Sequence, residues 1–186
     1  MHFYKFIPTL LIGFLFFIDC SSINSSKSTT KNIYATAPIN AASGSSVSGL
    51  VSFVDSAGSV YLTADVDGLS EGKHAIHIHE FGDCSTFDAK SAGGHWNPTH
   101  TTHGEWDNHH FHLGDIGNID ADTSGNGKIS LKTDLWCLGC EDSTKNILGK
   151  SIIIHEGEDD FTSQPSGNAG PRVGCGVIVL DQTALN

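Results

Sequence analysis

From residue 33 onward the chain is divided into short segments of alternating or β-branched residues. Clusters of Gly, Asn, Asp and Ser punctuate them, and no apolar spacing of three to four residues persists long enough to make a helix. Segments of this kind lie near 33–39, 47–54, 59–67, 73–80, 115–121, 128–133, 147–155 and 173–181. Eight short strands without a helical period predict an all-β fold, an antiparallel barrel or sandwich. Asp55-Ser56-Ala57-Gly58 and Gly125-Asn126-Gly127 fall between neighbouring segments and read as hairpin turns.

Two stretches break the rhythm. Phe81 to Leu113 carries no strand pattern and is rich in Gly, His, Asn, Thr and Trp, and Glu156 to Pro171 separates the last two strands. Loops of that length in a small domain are generally functional or disordered. Disorder would leave the aromatic and histidine residues without a role. Of the eleven histidines, nine lie between His74 and His112, and the ten basic residues include a single arginine, Arg172. With a formal charge of −11, the chain lacks the basic footprint that a phosphate backbone demands. One apolar run excludes a polytopic membrane protein, and the histidine surplus points to metal.

That apolar run, Phe6 to Ile18, follows Lys5 and ends at Asp19-Cys20. It is too short to span a bilayer of about 30 Å but fits the apolar region of a secretory signal. A serine-rich stretch follows. The expectation is a signal segment over 1–19, a flexible tether over 20–32 and one domain over 33–186, with the product outside the cytoplasm. A cysteine at this place looks like a bacterial lipoprotein signal with Cys20 acylated; plain cleavage and release is the other route. Besides Cys20 there are Cys84, Cys137, Cys140 and Cys175. In an oxidising compartment they make up to two disulfides, with three connectivities open.

His77-Ile78-His79 stands at the end of a strand pattern, so both imidazoles leave one face and Ile78 the other. Two imidazoles on one strand make half of a copper site, since Cu(II) favours a tetragonal nitrogen set. The long loop adds His95, His100, His103, His109, His110 and His112, with Asp115 behind them; imidazoles plus a carboxylate suit four-coordinate zinc. There are more candidates than one site can use, and composition alone also allows a solvated tract that scavenges metal loosely. His155 closes another strand pattern, Ile152-Ile153-Ile154-His155. His74 reads as part of a polar, solvent-facing strand surface.

Four motifs stand in order: His77-Ile78-His79-Glu80-Phe81-Gly82-Asp83-Cys84, Gly94-His95-Trp96-Asn97-Pro98, His112-Leu113-Gly114-Asp115-Ile116-Gly117-Asn118, and Gly167-Asn168-Ala169-Gly170-Pro171-Arg172-Val173-Gly174-Cys175-Gly176. Together they resemble the copper/zinc superoxide dismutase family, from about residue 33 to 181. The resemblance implies an eight-stranded antiparallel Greek-key barrel with two long functional loops, one copper and one zinc per chain, and superoxide as substrate. It implies His77, His79, His95 and His155 as copper ligands, and His95, His103, His112 and Asp115 as zinc ligands, with His95 bridging. Asp159 would link a copper imidazole to a zinc imidazole, Cys84 and Cys175 would form the family disulfide, and Arg172 would hold the anionic substrate. His100, His109 and His110 are left as bystanders.

The resemblance does not cover every feature. The loop 156–171 is shorter than in the animal enzymes and has no lysine; Glu156, Glu158, Asp159 and Asp160 stand there instead. The expectation is weaker electrostatic guidance of the substrate. Cys137-Leu138-Gly139-Cys140 lies outside the family pattern, and no βαβ context makes it thioredoxin-like. It reads as a local disulfide, or as a third, loosely held metal site. A copper-binding or copper-delivery protein without catalysis is the competing function, and a zinc hydrolase would need an open zinc position that a His3Asp set lacks. Monomer and homodimer are both compatible with the sequence.

Overall fold

Alternation decides the sheet. In the computed structural model, which describes residues 1–3 and 31–182, strand β3 (Ser59–Asp67) buries Val60, Leu62, Ala64 and Val66 while Tyr61, Thr63 and Asp65 face outward. The apolar run 6–18, Cys20 and the serine-rich stretch up to Thr30 lie outside the described residues. The remaining strands are β1 (Ile33–Ala41), β2 (Ser48–Ser56), β4 (Gly72–His79), β5 (Asp115–Ala121), β6 (Gly127–Thr133), β7 (Ser151–His155), β8 (Arg172–Val177) and β9 (Val179–Leu180). Every strand pairing is antiparallel.

The strand order β2-β3-β6-β5-β4-β7-β8-β1-β9 closes through a β1–β2 pairing, which makes a barrel. Closure removes the open edges that would otherwise invite pairing with other chains. The hairpin between β2 and β3 turns on Ala57 and Gly58, both with positive φ (51° and 82°), as the right-handed twist of the flanking strands requires. Strand β3 neighbours β6 and β4 neighbours β7, so the links 68–71 and 134–150 cross the barrel ends in Greek-key fashion.

Two predicted segments end differently from their apolar patterns. The segment 147–155 starts as a turn with Gly149 at φ 74°, and β7 begins only at Ser151. The segment 173–181 divides at the buried Ile178. Its N–H donates to Lys150 O (2.9 Å) and its carbonyl accepts from Gly149 N–H (3.0 Å), while β9 returns to β1. β8 and β9 together form the eighth barrel stave.

Strands β4 and β7 lie side by side and, from His74 to His79 and from Ser151 to His155, are buried on both faces. Ile76, Ile78, Ile152 and Ile154 fill the barrel interior. The opposite face carries His77, His79 and His155, and the two long loops cover it. A second small core of Ala42, Ala89, Ala92, Ile153 and Cys175 seals the loop against this outer face. The Cys84–Cys175 disulfide pins the loop to β8. A cross-link of sequence separation 91 is worth about 4–5 kcal/mol in the chain-entropy model, through the unfolded state.

Candidate metal centre

Register irregularities fall immediately before two of the strand histidines, between Ile76 and His77 on β4 and between Ile154 and His155 on β7. Bulges of this kind re-aim side chains next to functional sites. His95 joins them from the loop through a bridge to His79. One ring nitrogen from each of His77, His79, His95 and His155 lies within 4.8 Å of the others, all four residues buried.

What the other ring nitrogens do identifies the inward-facing atoms. His77 Nε2 faces Asp159 Oδ2 (2.8 Å), His79 Nδ1 faces the Gly93 carbonyl (3.0 Å), His155 Nδ1 faces the Gly170 carbonyl (3.1 Å) and His95 Nδ1 faces Asp115 Oδ1 (2.7 Å). For His77, His79 and His155 an acceptor on one side fixes the N–H there and turns the lone pair of the other nitrogen inward; His95 Nδ1 instead meets a carboxylate that belongs with it to a second group. The inward atoms, His77 Nδ1, His79 Nε2, His95 Nε2 and His155 Nε2, are buried and have no hydrogen-bond partner. Each unsatisfied buried acceptor costs about 1–3 kcal/mol. Four converging on one point fit a cation, and four imidazole nitrogens suit copper.

His95 also belongs to a second group with His103, His112 and Asp115. His103 Nδ1 lies 3.0 Å from Asp115 Oδ2 without hydrogen-bond geometry, and His112 Nδ1 lies 3.2 Å from Asp115 Oδ1 and 3.5 Å from His95 Nδ1. Three imidazoles and one carboxylate match a closed, tetrahedral zinc set. Asp115 is oriented by N–H donors from His112 (2.7 Å) and Gly104 (3.2 Å) to Oδ2. The two groups share one imidazole, with Nε2 in the first and Nδ1 in the second.

Asp159 joins the halves a second time. Its Oδ2 meets His77 Nε2 and its Oδ1 meets His103 Nε2, both at 2.8 Å. Asn118 grips its backbone from both sides, accepting from Asp159 N–H (2.8 Å) and donating to its carbonyl (3.0 Å). Gly167, at φ 68°, passes so close that a Cβ there would collide with Asp159 Oδ1 and His103 Nε2.

Electrostatics divide the halves. Burial, reinforced by the neighbouring His77, lowers the pKa of His95 to about 4 and that of His155 to about 3, and burial drives His79 well down. These imidazoles stay neutral and free to donate lone pairs. His103 runs the other way: burial would lower it, but the Asp115 and Asp159 carboxylates outweigh burial and raise it to about 9. Asp115 and Asp159 themselves are held well below the usual carboxylate range, the histidine hydrogen bonds overcoming burial.

A cavity of about 570 Å³ opens on the first group; His79, His95, His155 and Arg172 line it, with Glu80 and His100. Arg172 is half-buried and held by donation to the Ala89 and Gly93 carbonyls, both at 2.7 Å. His100 therefore borders the cavity, whereas His109 and His110 are exposed on the loop. His74 is not solvent-facing. It is 2% exposed, Nδ1 meeting the His155 carbonyl (2.9 Å) and Nε2 the Ser70 carbonyl (3.0 Å), because the link 68–71 and the end of β7 close over it. The roles of Gly93, Gly170 and Gln164 have no signal in the sequence. The two glycines act through main-chain carbonyls; Gln164 clamps the His103 backbone, accepting from its N–H and donating to its carbonyl, both at 2.9 Å.

The family model for copper/zinc superoxide dismutase matches residues 47–178. Superoxide dismutase (Cu-Zn) 5 of Dictyostelium discoideum is 37% identical over 147 residues, 75% of this chain and 94% of that protein. The extracellular Cu-Zn superoxide dismutase of Caenorhabditis elegans is 41% identical over 136 residues, 70% of this chain and 60% of that protein. The Cu-Zn superoxide dismutase of Paramecium bursaria Chlorella virus 1 is 36% identical over 176 residues, 91% of this chain and 90% of that protein. With its barrel, its two joined donor groups and a match across most of its length, the chain belongs to the copper/zinc superoxide dismutase family.

Proposed function

We propose that the chain converts superoxide to oxygen and hydrogen peroxide. His77, His79, His95 and His155 hold one copper, and His95, His103, His112 and Asp115 hold one zinc. The observation that carries this reading is the convergence of four unpartnered, buried imidazole nitrogens beside a cavity that also presents Arg172. Copper, when bound, supplies one-electron chemistry, with one superoxide oxidised and the next reduced. Arg172, cationic at any working pH and fixed by two carbonyls, orients the anion at the cavity wall. His95 lines the same cavity, so its imidazole is placed to pass a proton to the oxygen that becomes peroxide. Asp115 and Asp159 keep the imidazoles of both halves in register.

The test is metal content together with dismutation by the purified, metal-loaded protein. One copper and one zinc per chain without dismutation faster than in free solution would defeat the reading. Arg172→Gln is expected to retain both metals and lose about 100-fold in kcat/KM. A copper-delivery protein without catalysis would show no such dependence.

The apolar run 6–18 and the serine-rich stretch after Cys20 support export, and they are the basis for a bacterial-type lipoprotein with Cys20 acylated and 20–32 as its tether to the domain 33–186. The nematode relative is named extracellular. An intact mass of the mature chain with a diacylglycerol addition supports the anchor; a free N-terminus near residue 20 supports release. Sedimentation separates monomer from homodimer.

A further inference from the structure

Neither the donor groups nor the substrate cavity uses the link 134–150, yet this link reaches the zinc half. Trp136 is 2% exposed, and its indole Nε1–H donates to the Leu113 carbonyl at 2.8 Å. Leu113 directly follows His112. The Trp136 ring also meets Trp106 edge-on at 5.2 Å, and Trp106 packs against Phe111 at 5.1 Å. Trp106 lies three residues after His103, and Phe111 directly precedes His112. One indole thus braces both arms of the loop segment that carries His103 and His112.

Trp136 in turn stands on a small closed turn. Cys137 is disulfide-bonded to Cys140. Cys137 N–H donates to Lys145 O (2.9 Å), its carbonyl accepts from Ile147 N–H (3.2 Å), and Asn146 ties Gly139 N–H (3.0 Å) to the Cys140 carbonyl (3.2 Å). Leu138 N–H donates to Asp55 Oδ2 (3.1 Å), which fastens the turn to β2. The two disulfides differ in access at one end: Cys84 and Cys137 are both half-buried, but Cys140 is exposed whereas Cys175 is 2% exposed beneath the loop. A thiolate must reach a sulfur in order to attack it.

We propose that Trp136 is a positioning residue for the zinc half of the site, and that the exposed Cys137–Cys140 disulfide is where a dithiol reductant loosens its hold. The step balances simply. One reductant thiolate attacks a sulfur of the pair to give a mixed disulfide, and the second thiolate displaces the remaining protein sulfur. The protein gains two thiols, taking up two electrons and two protons, and the reductant leaves as a disulfide. The opened turn lets the indole shift, the Leu113 carbonyl loses its donor, and zinc escapes faster. The inference rests on the zinc set proposed above. Zinc stoichiometry of the untreated protein tests that set; the change in zinc release on reduction tests the inference.

The experiment uses the metal-loaded protein with dithiothreitol, and mass mapping to show which disulfide has opened. Zinc release to a chromogenic chelator is followed alongside copper content. Reduction should open Cys137–Cys140 first and speed zinc release by about tenfold, the size typical of losing an outer support of a metal ligand, with copper retained. The Cys137→Ser/Cys140→Ser double variant should release zinc at the faster rate and ignore the reductant. Trp136→Phe, which keeps a ring but loses the N–H, should fall between. Unchanged zinc release after confirmed opening overturns the proposal. So does loss of both metals in step with a falling melting temperature, or opening of Cys84–Cys175 first. Reduction of the wild-type protein decides the matter even if a variant does not fold.

Discussion

The proposed copper half and the proposed zinc half of the site share one imidazole but are built differently. Three of the four copper-set histidines stand on β4 and β7, strands buried on both faces and backed by the isoleucines of the barrel. In the zinc set, only Asp115 belongs to a strand; His95, His103 and His112 come from the loop between β4 and β5. A strand fixes its side chains through ladder hydrogen bonds and core packing, so the first group is pre-organised by the fold itself. The loop must be held from outside, and the structure supplies Asp159, the Gln164 clamp, the Trp136 brace and the Cys84–Cys175 disulfide to do it. A perturbation away from the donors should therefore affect zinc before copper.

The strongest challenge to this asymmetry is His95→Ala, which removes the shared donor. Both metals should weaken together and dismutation fall by more than ~100-fold, larger than the loss from an outer support; loss of one metal alone, read by elemental analysis, would contradict the shared imidazole. Asp159→Asn sharpens the contrast. Zinc affinity should drop about 10–100-fold while copper binding falls less, because His79 and His155 keep their carbonyl acceptors; competition titration with chelators measures both. Gly167→Ala strains a positive φ and crowds Asp159. It should destabilise by about 1–3 kcal/mol, seen as a lower melting temperature, with zinc lost at lower chelator concentration than in the wild type.

The smallest effect concerns the mouth that both halves share. Its lining offers Arg172 and Glu80 with opposite charges and no lysine, in a chain of net charge −11. Between about 10 and 150 mM salt, kcat/KM should change by less than about threefold, since little long-range attraction exists for salt to screen. A steep decline measured by pulse radiolysis would show a steering field that the lining residues do not account for.

Most of the fold was legible because strand periodicity is local. Val60 to Val66 announces its buried face without any knowledge of partners. Five of the proposed donors, His77, His79, His95, His112 and Asp115, stand inside the quoted motifs, while His103 and His155 lie outside them and rest on spacing and on the end of a strand pattern. What escaped was everything done by the main chain or set by long-range cover. The Gly93 and Gly170 carbonyls have no residue signature, and His74 looks polar until Ser70 and the His155 main chain close over it. Trp136 gives no sign in sequence that its partner is Leu113, because the contact depends on how the link 134–150 crosses the barrel end. The late start of β7 has the same origin: Ile147 and Leu148 are apolar for packing in a turn, not for strand pairing.

The Gly93 carbonyl accepts from both His79 Nδ1 and the Arg172 guanidinium. A single oxygen is therefore the common reference point for a metal-set imidazole and for the group proposed to orient the anion. When thermal motion displaces that peptide, the two side chains are carried along in the same direction. Their errors are correlated, and the spacing between them varies less than either position alone. Arg172 keeps a second anchor at the Ala89 carbonyl, so the shared oxygen couples the two groups without being the sole support of either.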